Sequence, residues 1–177
     1  RSNSHWSSFV VYSADLARLD FGEPIPVVPL GNGSGIEVSP AGGWAAFAMT
    51  VTPCEVWPCT VRLHAAPLDG SAPARIVNQV VGNWRGYRFT ADGAHLVHHG
   101  EVVPFDQSPF WSWLSSAPSD GSGPAVLLSV PQESPPPGPG IGSFANAADG
   151  RVVFTEWHDE APHVYSVPVE GGTPTAL

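Results

Sequence analysis

Apolar residues in this chain come in short runs separated by turn residues. Ser8–Ser13, Trp44–Met49, Thr60–Ala66, His95–His99, Phe110–Ser116, Arg151–Thr155 and Pro162–Pro168 are rich in Val, Ala, Phe, Trp and Tyr, and each is shorter than an ordinary helix. Between runs stand Asp69-Gly70, Asp92-Gly93, Asp120-Gly121, Asp149-Gly150 and Glu170-Gly171. Runs of this kind bounded by Asp-Gly turns read as antiparallel hairpins. From Tyr87 to Leu127 two such hairpins follow one another, which predicts a sheet of about four strands.

That unit repeats. Asp69-Gly70 and Asp120-Gly121 are 51 residues apart (69 to 120), and Glu170-Gly171 follows 50 residues later. Pro73, Pro124 and Pro174 keep the same spacing, as do Pro67, Pro118 and Pro168. A period near fifty with strands inside each period predicts an all-β fold of the propeller type, built of four-stranded antiparallel blades. The chain holds about three and three-quarter of these units by the repeat period. We place them at residues 1–30 (incomplete, with no leading strand and turn before Phe9), 31–80, 81–130 and 140–177, all in a single domain. Gly31-Asn32-Gly33-Ser34-Gly35 reads as a flexible connection. Residues 131–139, Pro-Gln-Glu-Ser-Pro-Pro-Pro-Gly-Pro, read as an extended polyproline-like connector.

Composition narrows the classes of partner. The formal net charge is -9, with 7 Lys plus Arg against 16 Asp plus Glu, and every cation is Arg. A phosphate-backbone binder needs a basic footprint that this chain lacks, so no nucleic-acid partner is expected. No stretch is long and apolar enough to insert in a bilayer. The 19 Gly and 20 Pro sit at repeated offsets between apolar runs, as turn residues do, and not as a disordered linker. No positively charged start followed by an apolar run appears at Arg1-Ser2-Asn3-Ser4.

The phrases Val38-Ser39-Pro40-Ala41-Gly42-Gly43-Trp44, Phe89-Thr90-Ala91-Asp92-Gly93-Ala94-His95 and Ala148-Asp149-Gly150-Arg151-Val152 precede second strands. They are answered downstream by Pro67-Leu68-Asp69-Gly70 and Pro168-Val169-Glu170-Gly171-Gly172. This pattern resembles the WD40-like β-propeller repeat of the TolB type, over almost the whole chain. Ala41 departs from it, standing where the repeat has the turn Asp. The resemblance implies a rigid ring platform and says little about activity. Some relatives carry the propeller beside a serine peptidase domain, of which nothing is visible here. Both ends fall within a blade on this reading, so the chain is expected to be part of a larger ring whose remaining blades are on another chain or were removed; a small ring or self-association is the alternative.

Candidate chemistry is sparse. Cys54 and Cys59 are the only cysteines, and their spacing across a Pro-rich hairpin tip suits a disulfide in an oxidising compartment. The expected location is therefore extracellular or periplasmic. His98 and His99 are adjacent and should face opposite sides of a strand, so they cannot share one ion. His158, Asp159, Glu160 and His163 are of metal-ligand types, but a solvated hairpin tip accounts for them, and no metal or cofactor is expected. Asp92 and Asp149 are explained by turn hydrogen bonds. There is no Gly-x-Ser-x-Gly elbow, ordered triad or phosphate loop, so no catalytic residue is assigned.

Among the 7 tryptophans, Trp44 is read as core, and Trp57, Trp84, Trp111, Trp113 and Trp157 as in loops or in strands near tips, with Trp111 and Trp113 on one side of their strand. The longest connections, Pro53 to Cys59, Glu101 to Pro109 and Trp157 to Pro162, all join second to third strands and should gather on one face. They would bring Trp57, Phe105 and Trp157 together with Glu55, Asp106, Asp159 and Glu160. An aromatic centre with an acidic rim suits a basic or amphipathic protein or peptide, bound without catalysis. Carbohydrate stacking on the same rings is the alternative, as is the propeller part of a serine peptidase.

Overall fold

The computed structural model describes residues 8–9, 12–13, 25–26, 31–51, 59–102, 110–129, 132–134, 140–158 and 161–177. The described residues are in strands, turns, bends and irregular segments, and none is helical. Three short strands come first: β1 (Ser8–Phe9), β2 (Tyr12–Ser13) and β3 (Ile25–Pro26). The first sheet then runs β4 (Gly31–Val38), β5 (Trp44–Thr50), β6 (Thr60–Pro67) and β7 (Arg75–Val81). The second comprises β8 (Asn83–Phe89), β9 (His95–Val102), β10 (Phe110–Pro118) and β11 (Val126–Leu127), with β12 (Gln132–Ser134) also on β10. The third is β13 (Ile141–Asn146), β14 (Arg151–His158), β15 (Ala161–Pro168) and β16 (Thr175–Ala176). Within each sheet sequence neighbours pair antiparallel, so every sheet is a four-stranded meander.

The described residues thus form three four-stranded sheets, where the repeat period predicts about three and three-quarter blades. The difference lies in the first block. Its β2 and β3 make a two-stranded pair, and β1 adds to the inner strand of the first sheet, Ser8 opposite Asn32 and Phe9 opposite Gly31.

Turn chemistry sets the register. Ser39, Thr90 and Ala147 each donate an amide hydrogen bond across the turn, to the carbonyls of Trp44, His95 and Arg151 at 2.8, 2.9 and 2.8 Å. Gly42, Gly93 and Gly150 hold φ of 74, 71 and 75°, a region side chains disfavour. Asp92 Oδ1 accepts from the Ala94 amide at 2.9 Å and from the Thr90 hydroxyl at 2.6 Å, the turn role read for it in the sequence. The third turn is one residue shorter than the others. Strand residues therefore correspond by distance from the turn: Ala46, Val97 and Val153 each stand two beyond the closing carbonyl.

Two stretches differ from the sequence reading. Gly31–Gly35 is strand and not a flexible connection: β4 pairs with β5 from Gly33 onwards, and the glycines accommodate a bulge between Ser34 and Ile36 at Gly35, φ 69°. The Pro-rich segment is not wholly a connector. Gln132, Glu133 and Ser134 pair with Ser112, Trp111 and Phe110. These three residues lie between prolines in sequence and keep their amide donors, which a ladder requires.

Sheets stack face to face through two cores. Ala46, Leu63, Ala65 and Val80 of the first sheet pack on Trp84, Phe89 and Leu96 of the second. Val97, Leu114 and Leu128 of the second pack on Ile141, Val152, Phe154 and Val167 of the third. The forward face of each sheet is thus covered by the next, until the third. There Val164, in the position of Leu63 and Leu114 (both 0% exposed), is 40% exposed. Trp113 lies over Gly100, where an added Cβ would meet the indole at 2.5 Å.

Candidate functional site

All three innermost strands carry a bulge at nearly the same level. Register shifts fall between Ser34 and Ile36 in β4, Trp84 and Gly86 in β8, and Ile141 and Phe144 in β13. A bulge breaks the inward–outward alternation and re-aims a side chain. In β8 the extra residue is Arg85. Its guanidinium donates to both oxygens of Glu101, Nη2 to Oε1 at 3.0 Å and Nε to Oε2. Glu101 is on the second strand of the same sheet, its side chain 8% exposed against 59% for Arg85.

This ion pair belongs to a cleft of about 640 Å³ between the inner parts of the second and third sheets. On its second-sheet side His99 Nε2 and Ser112 Oγ are 2.8 Å apart, and the Ile141 amide donates to the same Oγ at 3.1 Å. Burial, above all, pushes His99 down to about 4, so the ring is neutral at physiological pH. A serine beside a neutral histidine has the outline of a nucleophile and base. Here, however, the hydroxyl is buried and already ties β10 to β13, while the nearby Glu101 carboxylate is held by Arg85. The contact is a fastening between sheets.

Charge and aromatic surface line the rest. Glu37 of β4, Arg88 of β8 and Trp157 of β14 all border the cleft. Arg88 is exposed, and neither it nor Glu37 has an ion-pair partner among the described residues. Tyr87 donates to the Gly35 carbonyl at 2.9 Å, joining the inner strands of the first two sheets, and burial pushes its hydroxyl up to about 12. Among the described residues no group of three or more His, Cys, Asp or Glu is placed to hold a metal ion. Nor is any helix long and apolar enough to cross a membrane.

Of the residues read from sequence as a binding face, Trp157 is at the cleft, 41% exposed. Trp57, Phe105, Glu55, Asp106, Asp159 and Glu160 lie outside the described residues, as does Cys54. Cys59 is buried directly before β6. Two expectations need correction. Trp157 is not in a loop: it pairs with Pro162 inside the β14–β15 ladder, leaving a connection of only residues 159–160. Glu101 likewise belongs to β9, not to a loop. Cross-strand pairing extends both strands beyond the points where polar residues begin. Trp84, read as near a tip, is in the core between the first two sheets.

The connections after β5, β9 and β14 do join second to third strands. Glu101 and Trp157 stand near the ends of β9 and β14 that lead into them. The sequence reading missed Glu37, Arg85, Arg88, His99 and Ser112. A signal for two of them was present, since Glu37 and Arg88 are one repeat apart.

No protein-family model and no curated protein matches the chain. Solved structures do. The β-propeller domain of the Trilobed protease from Pyrococcus furiosus superposes with a TM-score of 0.58 at 14% identity, covering 96% of this chain and 52% of that one. The acylaminoacyl peptidase of Pyrococcus horikoshii gives 0.56 at 15% identity, over 96% of this chain and 30% of that one. A protein described as TolB from Agrobacterium tumefaciens gives 0.51 at 13% identity, over 88% of this chain and 52% of that one. The chain therefore spans about half of the two propeller proteins and less than a third of the peptidase. Identity this low speaks to the fold alone, and that fold is the TolB-like β-propeller.

Proposed function

We propose that this chain is a non-catalytic binding module that holds a protein or peptide segment in the cleft between its second and third sheets. The observation that carries the reading is the cleft itself. It is concave and open, bordered by an exposed indole and by charges of both signs, and the one serine–histidine contact in it is consumed in joining sheets. Rigid sheets hold these groups in place without further ordering on binding, which favours affinity. The wider protein is extracellular or periplasmic on this reading, with Cys54 and Cys59 bonded. Peptidase propellers among the similar structures support a second reading, in which the module stands beside a peptidase domain.

Peptide selection from a random displayed library on the immobilised chain tests the proposal. Enrichment is expected on the wild type and is expected to be lost on Trp157→Ala. Absence of enrichment, with Trp fluorescence quenched by free oligosaccharides, overturns it in favour of sugar binding.

A further inference from the structure

Equivalent positions of three successive inner strands carry a fixed chemical order. Glu37 pairs with Ala46, Arg88 with Val97 and Ala145 with Val153. Ala46, Val97 and Val153 occupy the same place after their turns, so Glu37, Arg88 and Ala145 occupy one position in the repeat. That position reads acid, base and neutral across the three sheets. Beyond the neutral one stands the exposed Trp157 of the third sheet. Glu37, Arg88 and Trp157 all border the same cleft.

Among the described residues, the two charges are not spent on each other or on neighbours. No ion pair joins Glu37 to Arg88 among the described residues, whereas Arg85, three residues before Arg88, is neutralised by a two-pronged contact with Glu101. Among the described residues the cleft thus has one paired couple, Arg85 and Glu101, and two opposite charges, Glu37 and Arg88, without an ion-pair partner. In a chain with 7 cationic side chains against 16 anionic ones, an uncompensated arginine in a concavity is a distinct feature. A guanidinium presents a fork of donors suited to a carboxylate. A carboxylate beside a partly desolvated cleft suits an ammonium or guanidinium, and an exposed indole suits an apolar side chain.

The geometry points to an extended peptide segment that presents a basic, an acidic and an apolar side chain in that order, to Glu37, Arg88 and Trp157 respectively. This inference rests on the binding reading above and specifies its ligand.

The test uses the full chain and two blocked synthetic peptides, acetyl-Lys-Thr-Glu-Thr-Leu-amide and its charge-exchanged form, acetyl-Glu-Thr-Lys-Thr-Leu-amide. Alternate residues of an extended peptide share one face, so each peptide presents all three groups together. Calorimetry or amide-shift titration by NMR is expected to show at least tenfold tighter binding of the first. Arg88→Glu is expected to weaken it at least tenfold, and Glu37→Arg with Arg88→Glu to reverse the preference. Equal binding of the two peptides, no binding of either at millimolar concentration, or indifference to Arg88→Glu each overturns the charge order. Peptides selected from the library that need Trp157 but ignore Arg88→Glu overturn it too, while leaving the binding module standing. Loss of fold is read separately, from the circular dichroism of each variant.

Discussion

His98 and His99 are neighbours in sequence and belong to different worlds. His98 faces the first sheet. It is fully enclosed, receives a hydrogen bond at Nε2 from the Asn78 amide at 2.8 Å, donates from Nδ1 to the Leu96 carbonyl at 3.0 Å, and meets Trp84 edge-on. Its tautomer is fixed by those partners, since a carbonyl can only accept. His99 faces the third sheet and touches Ser112 at a cleft. The contact between the first two sheets is the more closed: apolar packing surrounds the paired His98, with a hollow of about 280 Å³ at its inner end between β4 and β8, and the buried Trp84 indole N–H has no hydrogen-bond partner among the described residues. The other is apolar at Leu114 and Phe154 but opens at its inner end around Arg85 and Glu101. A repeat can thus keep its backbone while one interface is packed more tightly than the next.

Truncating the two interfaces gives the largest effects. Leu96→Ala in the closed one and Leu114→Ala in the open one each remove a fully buried side chain and are expected to cost roughly 2–5 kcal/mol. Leu96→Ala is expected at the upper end, because the closed core has less freedom to collapse around the cavity. Urea unfolding of both variants checks the ranking, and equal or reversed losses break the comparison.

Acid should find both histidines. The folded values are pulled down to about 4 from 6.5, chiefly by burial. The unfolded chain therefore binds more protons between those limits. Stability is expected to be full above pH 6.5 and to fall as pH drops toward 4, with His98 contributing on the order of 3 kcal/mol at most. Denaturation midpoints at pH 7 and pH 5 measure this. His98→Gln should flatten the profile more than His99→Gln does, whereas an unchanged slope in both would remove histidine from the account.

Gly100 sharpens the steric side. Gly100→Ala drives a methyl group into Trp113 and is expected to cost about 1–3 kcal/mol by overpacking. A compensating Trp113→Phe should recover part of the loss in a double-mutant cycle.

The most asymmetric effect is at the cleft. Arg85→Ala leaves the buried Glu101 carboxylate without its partner, whereas Glu101→Ala leaves a largely exposed guanidinium in water. The first is expected to cost about 1–3 kcal/mol and the second under about 1 kcal/mol. Matching losses would mean that Glu101 is not desolvated as described.

The repeat, the hairpins and the opposite facing of His98 and His99 were legible because turns and alternation are local signals. Trp113 and Trp44 could be placed for the same reason. The cleft was not legible, because its charges come from inner strands whose bulges depend on how sheets stack. Arg85 looks like an ordinary strand residue until the extra position in β8 is seen opposite Gly100 and His99. Gly31–Gly35 misled for the opposite reason. Glycines signal loops in isolation, yet here they supply a bulged strand. The expected face of Trp57, Phe105 and Trp157 could be followed only through Trp157.

The short turn at Ala147–Arg151 has a consequence for exchange of parts. The insertion before the third sheet displaces the repeat, and the turn gives one residue back, yet Val153 still arrives opposite Ser166 as Val97 does opposite Ser116. Length changes are absorbed between strands and erased at the closing hydrogen bond. Each meander is therefore a cassette with its own phase mark. Chimaeras joined at the connections between sheets should keep their partners in step whatever the linker length, whereas joints inside a strand should throw every later side chain onto the wrong face.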